Sequence, residues 1–452
     1  MSATPARALA FELLRATFER EAHTELAFRE AADERGLAGR ERAQAQRLAY
    51  GAVQRRGTTD AATERLAERS TRLLDPPVLA GLRLGLYELL FADATPDHAA
   101  VDQAVELVKA AGAAHAAGLV NAVLRRAARE RSTLLAGLTG DDSTPELAAV
   151  AHSAPLWLAR MWWEQLGAAD ARALLAACNE PAELGFRVNT LRAGVDATVA
   201  RLREAGVEAA PAVPFPHMGG ERNSGTGGRL AVAEAVTVSG RTGGVVPQLV
   251  AEGILTPQSR GSAAVVEVLD PRPGEHVLDL CAGPGIKTGQ IATRMGDRGE
   301  AISVELDPAR AAEVAAQAER LGLRGVSVIE ADATNPGMTG FDRVLVDAPC
   351  SDLGALASRP DARWRKSPRA IERLAELQGR ILARAAEALR PGGTLVYSTC
   401  TISRCENEDR VAALLESGEG TGLRVDFQTQ LRPDRDRTTG FFVCRMRKDG
   451  DL

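Results

Sequence analysis

Two cysteines about fifty positions apart each end a predicted buried strand. Cys350 closes the run Asp347–Cys350, and Cys400 closes the run Ser398–Cys400. A thiolate is a strong nucleophile, and ligands and catalytic groups collect at the carboxyl edge of an open parallel sheet. We therefore expect both thiols to face one pocket, with one acting as nucleophile and the other as its helper in a cofactor-dependent transfer.

A glycine-rich turn belongs to the same predicted sheet. It spans residues 279–285, Asp-Leu-Cys-Ala-Gly-Pro-Gly, and follows an apolar run. Glycines let the backbone approach a ligand closely, and the next helix offers free N–H groups to it. With a further glycine at Gly289, the spacing is GxGxxxG rather than the dinucleotide pattern GxGxxG, and the GxxxxGK spacing of a P-loop is absent. Neither a dinucleotide nor a nucleoside triphosphate is favoured.

Three acids follow successive predicted strands. Glu305 ends the second strand, where a carboxylate can accept hydrogen bonds from ribose hydroxyls. Asp332 follows the third strand and is predicted to accept from an adenine amine. Asp347 ends the fourth strand, where a methyl donor and its acceptor should meet. These acids, in register with the glycine turn, favour S-adenosylmethionine as the cofactor.

The 452-residue chain is long enough for two or three domains. Apolar residues at helical spacing and no strand alternation predict an all-α bundle at 1–142. Short mixed elements predict a small α+β domain at 143–256, with a flexible excursion at Pro211–Gly228. Alternating strands and helices predict a Rossmann-like α/β domain at 257–452 with a parallel sheet. Its predicted strands are His276–Leu280, Ala301–Glu305, Val326–Glu330, Arg343–Asp347 and Thr394–Ser398, with a late strand at Phe441–Met446.

Composition narrows the class of protein further. A net charge of -5 argues against a protein that coats nucleic acid indiscriminately, although a local basic face remains compatible with it. The six cysteines contain no CxxC pair, which predicts neither a disulfide framework nor a metal site. The chain has no run of about 18 uncharged apolar residues, so we expect no membrane partner and a cytoplasmic location. We also expect the protein to be a monomer.

A basic cluster with one aromatic residue follows Cys350 in the chain. Basic groups grip phosphates, and an aromatic ring can stack on a splayed base. A solvated helix face would be the plain interpretation of such a cluster, but its place after Cys350 favours RNA binding. The predicted RNA-binding residues are Arg359, Arg363, Trp364 and Arg365.

The motifs of the last domain resemble those of the bacterial ribosomal RNA cytosine-C5 methyltransferases of the Sun/RsmB type. The family signature DLCAAPGGKT stands here as DLCAGPGIKT at 279–288. The signatures DAPCS and YSTC are intact at 347–351 and 397–400. The resemblance extends from about Pro155 to the end of the chain and includes the stretch FRVNT at 186–190.

The first domain has a resemblance of its own, to the NusB-like RNA-binding bundle at the N-terminus of this enzyme type. The matching stretches are AYGAV at 49–53, LRLGLYELL at 82–90, AVELVK at 104–109 and VNAVLR at 120–125. This bundle fused to this methyltransferase is typical of the RsmB type. The resemblance therefore implies small-subunit ribosomal RNA as substrate, before the subunit is fully assembled.

The resemblance also implies roles for individual residues. Cys400 would add as a thiolate to carbon 6 of cytosine, Cys350 would assist its release, and Asp347 would hold the N3 and amine edge. Lys287 would orient Asp347 or contact a phosphate. The implied cofactor-binding residues are Cys281, Ala282, Gly283, Pro284, Gly285, Ile286, Lys287, Glu305, Asp332 and Asp347.

Three positions depart from the family pattern. Ile286 replaces the second glycine of the turn, Gly283 replaces an alanine, and Glu305 stands where the family more often has aspartate. A β-branched residue at Ile286 is costly if its backbone needs a positive φ. Two alternatives therefore stay open: a noncatalytic RNA-binding factor with a degenerate cofactor site, and the same chemistry on transfer RNA.

Overall fold

A computed structural model describes residues 3–92, 95–215 and 230–450, and the chain divides into two compact units. One unit comprises Met1–Glu180 and Leu356–Ser367, and the other comprises Pro181–Ala355 and Pro368–Leu452. Most of the predicted excursion at Pro211–Gly228 lies outside the described residues. The division does not follow the expected boundary near 143, because the next three helices cluster with the N-terminal bundle.

The first unit is helical throughout its described residues. Its central helix, α5, is apolar on nearly all sides and buries Leu82, Leu84 and Leu86. Arg7 and Glu88 form a buried ion pair of 2.7 Å between the first helix and α5. The helices are α1 (Pro5–Glu19), α2 (Thr24–Glu34), α3 (Gly39–Gln54), α4 (Arg56–Ala67), α5 (Pro76–Phe91), α6 (Asp97–Ala110), α7 (Ala117–Arg129), α8 (Arg131–Thr139), α9 (Pro145–Ala151), α10 (Leu156–Leu166), α11 (Ala168–Ala177) and, in the returning segment, α17 (Ala362–Arg365).

The second unit begins with a small antiparallel sheet, which confirms the predicted α+β character of this part of the chain. Its strand order is β2-β3-β1-β4, and an apolar core of Phe186, Val188, Leu202 and Val236 lies beneath it. The elements are β1 (Leu184–Val188), α12 (Val195–Glu204), β2 (Glu208–Pro211), β3 (Ala235–Ser239), α13 (Val245–Ala251) and β4 (Leu255–Pro257).

The larger sheet of the second unit has, in its described residues, the strand order β10-β11-β9-β8-β5-β6-β7. The strands from β9 to β7 are parallel, as the sequence predicts for a Rossmann-like domain. The strands are β5 (His276–Asp279), β6 (Glu300–Glu305), β7 (Val326–Glu330), β8 (Phe341–Asp347), β9 (Leu389–Thr399), β10 (Leu423–Leu431) and β11 (Phe441–Lys448). The helices are α14 (Arg260–Leu269), α15 (Ile286–Arg294), α16 (Pro308–Leu321), α18 (Pro368–Ala388), α19 (Glu408–Glu416) and α20 (Pro433–Asp436).

One edge of this sheet differs from the prediction. Strand β11 pairs antiparallel with β9, and β10 pairs antiparallel with β11. The connection from β10 to β11 is too short for a crossover, so the two strands form a hairpin, and only the rest of the sheet is parallel. No helix in the described part of the chain is long and apolar enough to cross a membrane.

Arg363 corrects part of the RNA-binding prediction. Its side chain is buried in the helical unit, with 1% of the residue exposed. The guanidinium donates to the carbonyl oxygens of Ser153 and Cys178, both at 3.0 Å, and to that of Leu356 at 3.3 Å. Desolvation lowers the pKa of Arg363 to about 10. The buried Arg363 guanidinium therefore holds three chain segments together and does not reach an RNA phosphate.

The other members of the basic cluster also make contacts within the helical unit. The indole N–H of Trp364 donates to the carbonyl of Val53 at 2.8 Å, and the Arg56 guanidinium lies 5.0 Å from the ring centroid. Arg365 pairs with Asp361 at 2.7 Å, whereas Arg359 is exposed. RNA contact by Arg359, Trp364 and Arg365 stays a prediction.

Replacement of the buried guanidinium should destabilise the protein. Arg363→Met leaves several buried carbonyls without a donor, which we expect to lower the free energy of unfolding by about 2–4 kcal/mol. Chemical denaturation followed by circular dichroism measures it. Arg369→Gln, on an exposed position of α18, is the control and should change stability little. Equal stability of the two variants would contradict the structural role of Arg363.

Candidate active site

The parallel strands bring the predicted site residues to one edge of the large sheet. Strands β9, β8, β5 and β6 are neighbours in that order, and all run in the same direction. Asp347, at the end of β8, stands in register with Ser398 near the end of β9. The glycine turn follows β5, and Glu305 ends β6. Strands β6 and β7 lie on one side of β5, and the chain then crosses to place β8 and β9 on the other side. The crevice at such a reversal is where open α/β sheets bind ligands.

The two thiols lie in direct contact. Cys350 Sγ and Cys400 Sγ are 3.3 Å apart, with Cys350 buried and Cys400 half-buried. Glu406 fixes the loop after Cys350, because its carboxylate accepts from the backbone N–H of Ser351 at 2.9 Å and from the Ser351 hydroxyl at 2.5 Å. The backbone N–H of Gly354 donates to the carbonyl of Cys400 at 2.9 Å. Hydrogen bonds therefore hold the chain on either side of the two thiols, just beyond the ends of β8 and β9.

Asp352 is a member of the site that the sequence did not single out. The Cys400 thiol donates to Asp352 Oδ1 at 3.0 Å. Asp352 adopts a φ of 61°, a left-handed conformation that aspartate tolerates better than most residues. The hydrogen bond with Cys350, burial, and the negative charges of Asp352 and Asp347 hold the pKa of the Cys400 thiol well above its ordinary value. Cys400 therefore rests as a thiol, and Asp352 is the carboxylate placed to accept its proton.

Asp347 is fixed through both of its oxygens. Lys287 Nζ lies 2.5 Å from Oδ2, and the Ser398 hydroxyl donates to Oδ1 at 2.7 Å. Lys287 is itself buried, at 8% exposed, and its ammonium lies 4.9 Å from the centroid of the Phe441 ring. The structure thus places Lys287 against Asp347, which is one of the two roles expected for it.

The glycine turn accommodates Ile286 without backbone strain. Gly285 takes the positive φ, at 91°, and a Cβ at this position would lie 2.9 Å from Val314 Cα. Ile286 begins α15 and is not among the residues with positive φ. The conformational cost considered for Ile286 in the sequence does not arise, because the preceding glycine makes the turn. The other predicted turn residues, Cys281, Ala282 and Pro284, lie beside it between β5 and α15.

Glu305 and Gly283 fit one another. The Glu305 carboxylate accepts from the backbone N–H of Gly283 at 3.0 Å and from that of Asp307 at 3.1 Å. A Cβ at position 283 would overlap Glu305 Oε2 and would lie 2.8 Å from Arg310 Nε. In the family pattern, position 283 is alanine and position 305 is the shorter aspartate. The two departures compensate each other here, because the longer acid at 305 occupies the space that the missing methyl group at 283 leaves.

Asp332 lies on the surface beyond β7. Its Oδ1 accepts from the backbone N–H of Thr334 at 2.8 Å, and this hydrogen bond lowers the pKa of the carboxyl. One carboxylate oxygen thus closes a turn in its own loop. Contact of Asp332 with an adenine amine stays a prediction.

Asp279, at the end of β5, is a second residue that sequence reasoning missed. Its Oδ2 accepts from the Thr288 hydroxyl at 2.8 Å, and its Oδ1 is buried without a hydrogen-bond partner among the described residues. Burial raises the pKa of Asp279 to about 7. The carboxyl ties the strand to the first turn of α15. The signal was present in the sequence, since an acid in an apolar strand end before a glycine turn is itself unusual.

Asp279 should make stability depend on pH. Unfolded aspartate loses its proton near pH 4, whereas the folded protein keeps it to about pH 7. Between these values the folded state binds more protons, so this residue lowers the unfolding free energy as pH rises. Asp279→Asn should remove that slope. The unfolding free energy of the variant minus that of the wild type should rise from about pH 4 to about pH 7 and should be constant above pH 7. Thermal unfolding across pH measures it, with exposed Glu313→Gln as control. A pH-independent difference would contradict the shifted pKa.

The fit of Gly283 to Glu305 predicts a coupled effect on cofactor affinity. Gly283→Ala alone should weaken S-adenosylmethionine binding about tenfold or more, because overpacking costs about 1–3 kcal/mol. Glu305→Asp shortens the acid, so the double variant should recover most of the lost affinity. Isothermal titration of the four proteins measures the coupling. A double variant as weak as Gly283→Ala would show that the two residues act independently.

Comparisons with known proteins identify the domains of the chain. Residues 266–447 match the family model "16S rRNA methyltransferase RsmB/F", residues 154–217 match a ferredoxin-like domain of RsmF/B-like methyltransferases, and residues 4–129 match the NusB family. A probable ribosomal RNA small subunit methyltransferase B from Synechocystis is 32% identical, with 98% of this chain and 99% of the relative covered. The Bacillus subtilis protein of the same name is 30% identical, and both chains are covered completely.

A solved structure shows the same fold over the whole length. The crystal structure of PH0851 has a TM-score of 0.79 at 24% identity, and 99% of each chain is covered. The named relatives match this chain nearly from end to end. Together with the domain order, the paired thiols and the glycine turn, these matches identify its family. The chain belongs to the RsmB/F family of 16S ribosomal RNA methyltransferases, with a NusB domain and S-adenosylmethionine as its cofactor.

Proposed function

We propose that the chain methylates carbon 5 of a cytosine in small-subunit ribosomal RNA. The observation that carries the proposal is the pair of thiols 3.3 Å apart at one sheet edge, beside the fixed carboxylate of Asp347. The names of the Synechocystis and Bacillus relatives support ribosomal RNA of the small subunit as the target. Action before complete subunit assembly, by a monomer in the cytoplasm, stays a prediction.

The residues at the turn fit the cofactor. Glu305 presents a carboxylate whose two oxygens each have a lone pair left for a hydroxyl group, and Gly285 allows a close backbone approach. The first turn of α15 offers N–H groups at the same place. When bound, S-adenosylmethionine supplies a methyl group made electrophilic by its sulfonium. The remaining steps are the work of the chain's own residues.

Carbon 5 of cytosine is too weak a nucleophile to take a methyl group without activation. Addition of a thiolate to carbon 6 turns the ring into an enamine, which raises the electron density at carbon 5. Cys400 is the proposed nucleophile, and its thiol proton passes to Asp352 Oδ1 at 3.0 Å. Because the pKa of Cys400 is raised, its thiol stays protonated until it reacts, so the proton transfer to Asp352 occurs together with the attack of sulfur on carbon 6.

Asp347 is proposed to hold the base during this addition. Its carboxylate can accept from the exocyclic amine, and Lys287 with Ser398 prevents its rotation. The target cytosine must leave its stack to reach a thiol at a strand end. A carboxylate locked by two partners orients the extruded base with little further loss of entropy.

Release completes the proposed cycle. After methylation, carbon 5 carries both a methyl group and a proton. This proton passes to a water molecule as the double bond between carbons 5 and 6 forms again, and the bond from Cys400 to carbon 6 breaks as its electrons return to sulfur. Asp352 then returns its proton to the Cys400 thiolate. Cys350, in contact with Cys400, is placed to assist this elimination. The two thiols thereby have separate tasks at opposite ends of the cycle.

The noncatalytic alternative loses its main reason. That alternative required Ile286 to disable the cofactor turn, but Gly285 adopts the positive φ, and Ile286 does not. A transfer RNA substrate differs from the proposal only in the target. The experiment below therefore includes both kinds of RNA.

Variants of the two cysteines should fail at different steps. Unmodified small-subunit ribosomal RNA and, separately, unmodified transfer RNA are incubated with the protein and S-adenosylmethionine. Nucleoside mass spectrometry should find 5-methylcytidine in the ribosomal RNA for the wild type and none for Cys400→Ala. Cys350→Ala should form the adduct and release it slowly, so a protein–RNA complex resistant to detergent should accumulate. Cys405→Ala, a half-exposed thiol outside the site, should behave as the wild type.

Other outcomes would change the assignment. Product from Cys400→Ala with none from Cys350→Ala would exchange the two roles. Methylation of transfer RNA alone would keep the chemistry and replace the substrate. No 5-methylcytidine in either RNA would overturn the proposed function.

A further inference from the structure

Three side chains that the sequence separates form one cluster at the sheet edge. The ligand atoms of Cys350, Asp352 and Cys400 lie within 4.8 Å of one another. Two of the contacts are direct, at 3.3 Å between the sulfur atoms and 3.0 Å between Cys400 Sγ and Asp352 Oδ1. No short spacing motif reveals this set, because Cys400 joins it from a different strand. Its donors are two sulfurs and one carboxylate oxygen.

This donor set suits a thiophilic divalent cation. Zinc binds cysteine sulfur at about 2.3 Å and carboxylate oxygen at about 2.0–2.2 Å, usually as a tetrahedron. In such a tetrahedron the two sulfurs lie about 3.8 Å apart, and each lies about 3.5 Å from the oxygen. The observed contacts of 3.3 Å and 3.0 Å need to open by about half an ångström. The third distance, from Cys350 Sγ to the Asp352 oxygen, lies within 4.8 Å and needs to close by at most ~1.3 Å. Two rotatable thiols and a loop carboxylate can provide that movement.

A disulfide is the competing outcome for two thiols in contact. It requires the sulfurs to approach from 3.3 Å to about 2.05 Å, a movement of more than 1 Å. A disulfide also requires an oxidant to accept two electrons from the thiols, and neither the chain nor S-adenosylmethionine supplies one. Coordination of a cation requires no change in oxidation state.

Charge and access also favour a cation. Asp352 contributes a negative charge beside the thiols, and two thiolates in contact would repel each other unless a cation lay between them. Cys350 is 7% exposed, whereas Asp352 and Cys400 are half-buried. The cluster is thus closed on one side and open on the other, as in zinc sites with three protein ligands and one exchangeable position.

We propose that Cys350, Asp352 and Cys400 form a binding site for a zinc-like divalent cation that switches off the nucleophile. On binding, each thiol loses its proton to solvent, both sulfurs and the carboxylate bond to the cation, and no oxidation occurs. The bound cation occupies the lone pair of Cys400 that would attack carbon 6 and the Asp352 oxygen that would accept the thiol proton. The inhibitory consequence rests on the proposed function, whereas cation binding does not.

Cobalt provides a direct measurement of the site. The reduced, metal-free full-length chain is titrated with Co²⁺, without RNA or cofactor, and thiolate-to-cobalt charge-transfer absorption is recorded. We expect one equivalent to bind, Zn²⁺ to displace it, and the band to disappear in Cys350→Ala and Cys400→Ala. Asp352→Asn should bind more weakly, by at least the ~10–100-fold that loss of an outer-sphere partner costs. Cys405→Ala is the matched control and should bind as the wild type.

Each other result overturns a part of the proposal. Absence of the band, or its persistence in both cysteine variants, shows that the cluster is no cation site. Unchanged affinity in Asp352→Asn removes the carboxylate from the ligand set. Thiols that resist alkylation until a reductant is added show a disulfide instead. Because the titration contains no substrate, failure of methyl transfer leaves its result intact, and active enzyme without cobalt binding refutes only the cation site.

Discussion

The ion pair of Lys287 and Asp347 is the interaction on which the site depends. Lys287 belongs to the first turn of α15, and Asp347 to the end of β8, so the pair joins the cofactor turn to the strand that leads to Cys350. Lys287 is nearly enclosed, and removing one partner would leave a charge with little solvent around it. The charge of each residue therefore stabilises the position of the other, and the pair holds the glycine turn beside the end of β8.

A second polar connection supports α15 from the small sheet. Arg187 on β1 donates to Gln258 at 2.7 Å, Gln258 donates to Gln290 at 2.8 Å, and Gln290 donates to Glu234 at 2.9 Å. Arg294 closes the chain with an ion pair to Glu234 at 2.6 Å. Buried polar chains of this kind fix one geometry because every partner is required. The small sheet thus serves as a support for the cofactor helix within its own unit.

The sequence predicted the parts of this molecule that obey simple periodicity. The strands from β5 to β9 are apolar and separated by helices, so their order of alternation was enough to predict a Rossmann-like sheet and the edge where Cys350 and Cys400 meet. Strand β10 was missed because it is polar and lies at the sheet edge, half exposed. Arg363 was misassigned because charge alone does not reveal burial, and Asp352 was missed because its contact with Cys400 depends on tertiary structure.

The contact between Gly283 and Glu305 shows that a glycine can be needed for the groups around it and not for its own conformation. Gly283 does not have a positive φ, so its backbone conformation is open to other residues. A methyl group at this position would meet the Glu305 carboxylate and the Arg310 guanidinium. The same two groups hold the turn, since the carboxylate accepts from the N–H of Gly283 and the guanidinium donates to its carbonyl oxygen. Any side chain at 283 would therefore compete with the two groups that fix the turn.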